Sequence, residues 1–458
     1  MQTPFSFDLV IAFGLLSAFL LVGLLFRAKI PFFQKYLIPS CLIGGFFGLI
    51  VLNVLPITLD IEQFEAFTYH FFVISFISVG LTAFTDKGNK AERDKLTVKG
   101  VARGAIWGGV MEGMILAVQA LIGSSLVFLF AFFGLELFPT FGFFAPLGFM
   151  QGPGQALSFG KVWEGFGFEN AATIGLVFAS IGFLFAFFVG VPLVNWGIKK
   201  TKGNGEKMVL SDTILKGYFP KNVEKESTGN QTTHSANLDS LAFQAALVGV
   251  VYLMTYGFVR VINLPFSEAF GRLNWGFAFF YGLLVAMFTG WIMKRIGVNH
   301  FIDEGTQKRI TGWSIDFLII ATIFAIKPAI VLKFIVPILI IGMVTGIVTT
   351  VILVYFGRRL TDYNVERMVL VYGTCTGTLS SGLLLLRIVD PDLNSPVALE
   401  AGMIALCAMP FVLTSMLLIN AKFLFGWEIW HTMVAFSAIV IIGLAILKLG
   451  KFWSKPVF

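Results

Sequence analysis

FMQGPGQALSFG, residues Phe149 to Gly160, interrupts a hydrophobic chain with glycines, a proline and amide side chains. Its apolar flanks, Phe141 to Gly148 and the run after Lys161, are too short to cross a bilayer. In hydrocarbon every backbone polar group must be satisfied internally, so a broken segment at membrane depth persists only inside protein or along a wet cavity. The stretch reads as the tip of a re-entrant hairpin. A second interruption, YGTCTGTLSSG at Tyr372 to Gly382, occupies the matching place in the other half of the chain. Paired interruptions at corresponding positions point to the binding site of a membrane carrier.

The rest of the composition agrees with a membrane setting. The chain has 458 residues, 57% hydrophobic and 13% charged, with a mean hydropathy of +0.86, which excludes an ordinary soluble domain. A formal net charge of +7 invites a nucleic-acid reading, but most Lys and Arg fall in alternate loops, as orientation signals do. Cys41, Cys375 and Cys407 lack paired spacing, so neither a disulfide framework nor a zinc site is expected. The four histidines are scattered without ligand spacing. No HExxH, no GxSxG and no Asp pair at helix centres speaks for an enzyme. The first apolar run has no basic stretch before it and no small-residue cleavage site after it, so it is expected to stay as a transmembrane helix.

A span needs about 20 apolar residues, and that length cuts the chain into two matching series. The first repeat, residues 1–198, reads as helices near Leu9 to Phe26, Leu37 to Leu55, Phe67 to Phe84 and Val101 to Phe133, the hairpin Phe141 to Trp163, and Ala171 to Ile198. Residues 199–240, polar and without apolar period, read as a mobile cytoplasmic linker. The second repeat, residues 241–421, reads as Leu241 to Ile262, Leu273 to Met293, Ser314 to Ile326, Val331 to Phe356, the hairpin Met368 to Val389, and Pro396 to Ala421. Residues 422–458 add one helix, Ile429 to Leu447, without a counterpart, and a tail. An odd number of crossings per half turns the second half upside down. The expected fold is thus an all-α polytopic membrane protein, an inverted-topology repeat of five helices plus one re-entrant hairpin per half. Basic residues at Arg27 to Lys35, Lys87 to Arg103, the linker, Lys294 to Arg309, Arg358 to Arg387 and Lys448 to Lys455 share one side. The amino terminus is then outside and the carboxyl terminus cytoplasmic.

Several stretches resemble the bacterial sodium/glutamate symporter family, collinearly over roughly residues 30 to 425. KYLIPSCLIGG (Lys35 to Gly45) is similar to that family's KY-x-IP-x-x-x-x-GG helix opening. VQALIG, around Gln119, precedes GLELFP much as in the family, and GFENAATIGLVFASIGF (Gly167 to Phe183), followed by Gly190 and Pro192, resembles its GF-x-NA helix. The tips depart from the pattern: a Gly-His-Gly-Thr-Gly-type tip is replaced by Gly152, Pro153, Gly154 and Gln155, and a tip ending in Thr-Pro-Thr by Gly373 to Ser381. The resemblance implies a multi-pass protein of the bacterial inner membrane that imports glutamate or a related small carboxylate. It also implies sodium as the coupling ion with no other cofactor, a homodimer, and elevator-like movement of a hairpin-bearing part against a static part containing KYLIPSCLIGG. Citrate or malate carriage, proton coupling, or an anion channel are the alternatives.

A carboxylate that sheds water in a bilayer needs aimed dipoles, and half-helix amino termini carry free N–H groups and partial positive charge. Gln151, Gly152, Pro153, Gly154, Gln155 and Ser158 on the first tip are the expected substrate contacts. Thr376, Gly377, Thr378, Ser380 and Ser381 complete them on the second. Sodium needs hard oxygens, which unwound backbone and hydroxyl or amide side chains near the tips supply. Close packing between helices is the competing explanation for the Gly, Ser and Thr residues. Five further positions are candidates for ion or charge coupling. Glu112 and Gln119, two turns apart on one helix face, either line a polar seam or, for Glu112, meet a basic group at the cytoplasmic edge. Glu400 is placed to meet a substrate ammonium or a proton. Arg387 would face the substrate carboxylate or pair with Asp390 and Asp392, and Asn170 opens the helix after hairpin one.

Overall fold

The computed structural model describes residues 7–54, 60–84, 98–202, 211–221, 227, 229–391 and 395–457, apart from the side chains of 84, 98, 99, 202 and 269. Among these residues the secondary structure is helical throughout, with no strand. Eight helices are long and apolar enough to cross a membrane, and a bent pair makes a ninth candidate.

The first half contains α1 (Asp8–Lys29), α2 (Ser40–Val54), α3 (Ile61–Leu81), α4 (Val98–Phe132), the broken pair α5 (Phe144–Phe149) and α6 (Gly152–Glu164), then α7 (Ala171–Leu184) and α8 (Gly190–Lys202). The second contains α9 (Ser240–Ile262), α10 (Glu268–Gly276), α11 (Ala278–Arg295), α12 (Glu304–Phe324), α13 (Ile335–Gly357), the broken pair α14 (Asn364–Thr376) and α15 (Leu379–Val389), and α16 (Val397–Ile419). A last helix, α17 (Ile429–Leu449), follows. These helices are apolar around most of their circumference, as a lipid-facing element must be. Leu21 and Leu25 of α1, Val250 and Leu253 of α9 and Ile441 of α17 remain exposed. Helix starts carry polar caps: Asp60 accepts from Glu62 N, Asp239 from Leu241 N, and Asp303 from Thr306 N.

The helices pack as two groups. In one, α3 lies along α12 and α11, α2 along α1 and α12, and α9 along α11 and α3. In the other, α4 is the axis, flanked by α16, α17, α13, α14 and α5, while α7 backs α5 and α6. The groups meet mainly where α6 touches α3, α10 and α12 and where α7 touches α12. Along the α4–α16 seam, Cβ atoms on Gly104, Gly108, Gly109 and Gly113 would collide with Glu400, Ile404, Cys407 and Phe411 in turn. Both series ascend together, so the two helices run parallel. Only glycine permits so close an approach.

Several expected boundaries shift. The span placed at Phe67 to Phe84 begins at Ile61 behind its Asp60 cap, and the one placed at Ser314 to Ile326 begins at Glu304, because Asp303 caps three further turns. Leu273 to Met293 is not one rod, since Phe270–Gly276 and Ala278–Arg295 meet at 65°. Ala171 to Ile198 holds a π turn at Phe185–Val189, and helix continues to Lys202. The described parts of residues 199–240, read above as a linker, hold local structure. Asp212–Lys216 is helical, and Arg27 holds it by donating to the carbonyls of Ile214 (2.9 Å) and Leu215 (3.3 Å). At the far end Asn230 N donates to Asp303, and Gln244 Nε2 to Thr232. Residues 203–210 and 222–226 of the linker, and 87–97 of the basic loop, lie outside the described residues.

Candidate functional site

Each broken pair leaves helix ends facing a break. At the first, α5 stops at Phe149 and α6 restarts at Gly152, whose φ of +80° suits glycine and whose successor Pro153 fits a first helical turn. At the second, α14 stops at Thr376, Gly377 (φ −149°, ψ −94°) turns the chain out of the helix, Thr378 is extended, and α15 restarts at Leu379. Both α6 and α15 therefore turn amino termini with unpaired N–H groups to the breaks, while α5 and α14 turn carbonyl ends there.

The two breaks touch. A Cβ on Gly152 would stand 3.1 Å from Thr378 Cγ2 and 3.5 Å from the Gly377 carbonyl oxygen. A glycine at 152 is what allows this approach. Gly182 of α7 also borders the second break, since its Cβ would lie 2.6 Å from the Thr376 carbonyl. The arms of the second pair cross where a Cβ on Gly373 would meet Gly382 Cα at 2.5 Å.

Of the expected contact residues, Gly152, Pro153, Gly154, Gln155 and Ser158 are buried and Gln151 is half-buried. Thr376, Gly377 and Ser381 are buried, Thr378 is half-buried and Ser380 is exposed. The Ser158 and Thr376 hydroxyls donate to the carbonyls four residues earlier, Gly154 and Tyr372. Gln155 Oε1 and Thr378 Oγ1 are buried with no hydrogen-bond partner among the described residues. Orphaned buried oxygens of this kind are costly in an apolar interior and suit a bound donor or cation.

Gln119 joins the site from outside the breaks. Its Nε2 donates to the Cys375 carbonyl (3.0 Å) and to Thr349 Oγ1 of α13 (3.1 Å), which ties α4 to the end of α14, and its Oε1 has no partner. Glu112 lies two turns back on α4 and is 6% exposed. It is not at the helix edge, because Val98 to Glu112 is about 21 Å of helix. No basic group pairs with it among the described residues.

The remaining charge-coupling candidates lie elsewhere. Glu400 is bound: Arg367 donates from Nε to Oε2 (2.8 Å) and from Nη2 to Oε1 (2.6 Å), with both side chains almost wholly buried. Arg367 also donates to the carbonyls of Asp362 and Gly100, so the pair fastens the base of α14 to α4 and α16. A substrate ammonium or a proton at Glu400 is thereby disfavoured. Arg387 is exposed in the last turn of α15. Asn170, with φ 58°, stands past the far end of α6, about 20 Å of helix from the break.

Three groups carry partners that their sequence positions do not reveal. Arg27, 7% exposed, serves four carbonyls, adding Leu37 and Ile38 to the two already given. Arg367 reads in the sequence as one member of the basic cluster Arg358 to Arg387. Lys161 of α6 reaches Glu65 of α3 at 2.5 Å across the boundary between the two helix groups. That pair sits in a cleft of about 510 Å³ lined by Glu62, Glu65, Tyr69, Ser158, Lys161 and Trp275. The one signal for it was Lys161, the single basic residue of α6, since a charge among apolar spans is rare without a partner.

The family model described as sodium/glutamate symporter matches residues 5–382, from the amino terminus through both breaks into α15. No curated protein matches the chain.

Proposed function

Because the chain belongs to the sodium/glutamate symporter family, we propose that it is a sodium-coupled carrier importing glutamate through the paired breaks. Supporting this most directly is the contact of Gly152 with Thr378, which brings two helix amino termini together with orphaned oxygens. The N–H groups suit a substrate carboxylate, and the oxygens suit its cationic companions. At 13 residues for α6, 13 for α14 and 11 for α15, each half-helix is about 17–20 Å long, less than a ~30 Å core, so both pairs are read as re-entrant.

The inverted repeat has support from reciprocal packing. If α1, α2, α3, α4 and α7 correspond to α9, α11, α12, α13 and α16, then α1 on α2 is answered by α9 on α11. Likewise α2 on α12 is answered by α11 on α3, and α4 on α16 by α13 on α7. The two helix groups are read as the static and moving parts of an elevator, working as a homodimer in the bacterial inner membrane with the amino terminus outside.

Purified protein in proteoliposomes should take up radiolabelled glutamate only under an inward sodium gradient, and Thr378→Val should raise KM by about tenfold, the loss of one buried hydrogen-bonding group. Uptake of citrate or malate in place of glutamate would assign another carboxylate, and uptake without sodium would remove symport.

A further inference from the structure

Glu112 is a buried acid on the hairpin-bearing group that the proposed function leaves unused. It projects from the middle third of a 35-residue helix, is 6% exposed, and has no ion pair or hydrogen bond among the described residues. The elements packed on α4 offer nothing to neutralise it. Helix α5 carries no ionisable residue, and α13 carries only Tyr355 in its last turn, an exposed side chain whose hydroxyl accepts from Trp453 Nε1. From α14 the Cys375 thiol lies within electrostatic reach, the Tyr372 hydroxyl is spent on the Phe185 carbonyl, and Glu366 and Arg367 stand at the helix base. From α16, Cys407 packs on Gly109, and Glu400 is spent on Arg367 beside Gly104, about two turns away. From α17, Gly443 faces Met114, while His431 and Lys448 belong to its ends. A lone carboxylate in such surroundings is far less stable than its protonated form.

We propose that Glu112 is a proton-binding site carried by the hairpin-bearing group, occupied by one proton in the packing seen here. One carboxylate oxygen takes a proton from water and the neutral acid results, with no other bond changed. Sodium is the less suitable occupant, since Gln119, the nearest orphaned oxygen named on α4, is about 10 Å along the helix. The kinetic consequence rests on the transport reading: the group moves only with Glu112 neutral, so sodium-driven uptake requires this proton.

Two measurements test the proposal. With equal pH on both sides and a sodium gradient, wild-type uptake should fall about tenfold per pH unit once Glu112 loses its proton, while Glu112→Gln, which mimics the neutral acid, stays flat. An unchanged pH profile in Glu112→Gln overturns the proposal, as does loss of sodium stimulation in that variant, which would make the side chain a sodium ligand. Independently of transport, infrared difference spectra of the purified protein at neutral pH should show a carboxylic-acid C=O band absent from folded Glu112→Gln. Absence of that difference overturns the proposal even if glutamate uptake is confirmed. A wild type inactive with glutamate while the band is present would sink the transport reading and leave the proton site standing.

Discussion

Arg367 and Glu400 neutralise each other where neither could stay charged alone. Removing one partner of a buried ion pair leaves an uncompensated charge and typically costs about 3–5 kcal/mol. Glu400→Ala should therefore lower the melting temperature in detergent strongly, and Glu400→Ala with Arg367→Met should recover most of the loss. A near-neutral Glu400→Ala would mean that the pair is solvated. This pair was not legible in the sequence, because its members are 33 positions apart and Arg367 resembled an orientation charge. Gln119, by contrast, was visible as a polar residue within an apolar helix, although its partner, a carbonyl at a distant break, was not. Gly154 shows a third degree of legibility. It was expected to bring backbone near a ligand, whereas a Cβ there would enter the Phe72 ring of α3. Gly154→Ala should reduce uptake by restricting the contact of α6 with α3, with little change in KM, and a pure KM effect would restore the ligand-facing reading.

At the scale of the helix, the breaks were the most legible features because glycine and proline punctuate backbone wherever they stand. Helix starts were read less well, since hydropathy hides a first turn made of charged residues. In α12 that turn is organised by Asp303, which accepts from Thr306 N at 2.6 Å, Thr306 Oγ1 at 2.7 Å and Asn230 N at 3.1 Å. Burial pushes this carboxyl up, but the hydrogen bonds from Thr306 and Asn230 outweigh it and hold the group below its usual range. A depressed acid contributes stability above its unfolded value, near 4, and the contribution disappears as pH falls through the lower folded value. Asp303→Asn keeps one capping oxygen but loses the charge, so it should cost about 1 kcal/mol at neutral pH and the difference should narrow toward nothing in acid. Melting curves from pH 7 down to pH 3 would check the convergence. The π turn at Phe185–Val189 had no sequence signal; its Phe185 carbonyl accepts from the Tyr372 hydroxyl at 3.1 Å, a partner fixed only by tertiary packing.

For the whole molecule, the movement proposed above would act at the boundary between the two helix groups. Lys161 and Glu65 bridge it, so their replacement by cysteines in a cysteine-free background, joined with a reducible bifunctional thiol reagent, should stop uptake, and reductant should restore it. Full uptake by the cross-linked protein would show that the groups do not slide past one another. The division into groups was only partly legible: matching apolar runs suggested two halves, but each group draws helices from both. No local pattern encodes that interleaving, because it is set by which apolar and glycine faces fit.

The parallel seam between α4 and α16 has a consequence for biogenesis. Its two sides leave the ribosome almost three hundred residues apart, so a nascent chain holds a glycine-notched helix open to lipid until α16 has been made. A premature stop before α16 would leave that notch unfilled and the Arg367 guanidinium without Glu400. Membrane quality-control proteases would then meet a defined lesion, because insertion of α16 is the step that closes the seam.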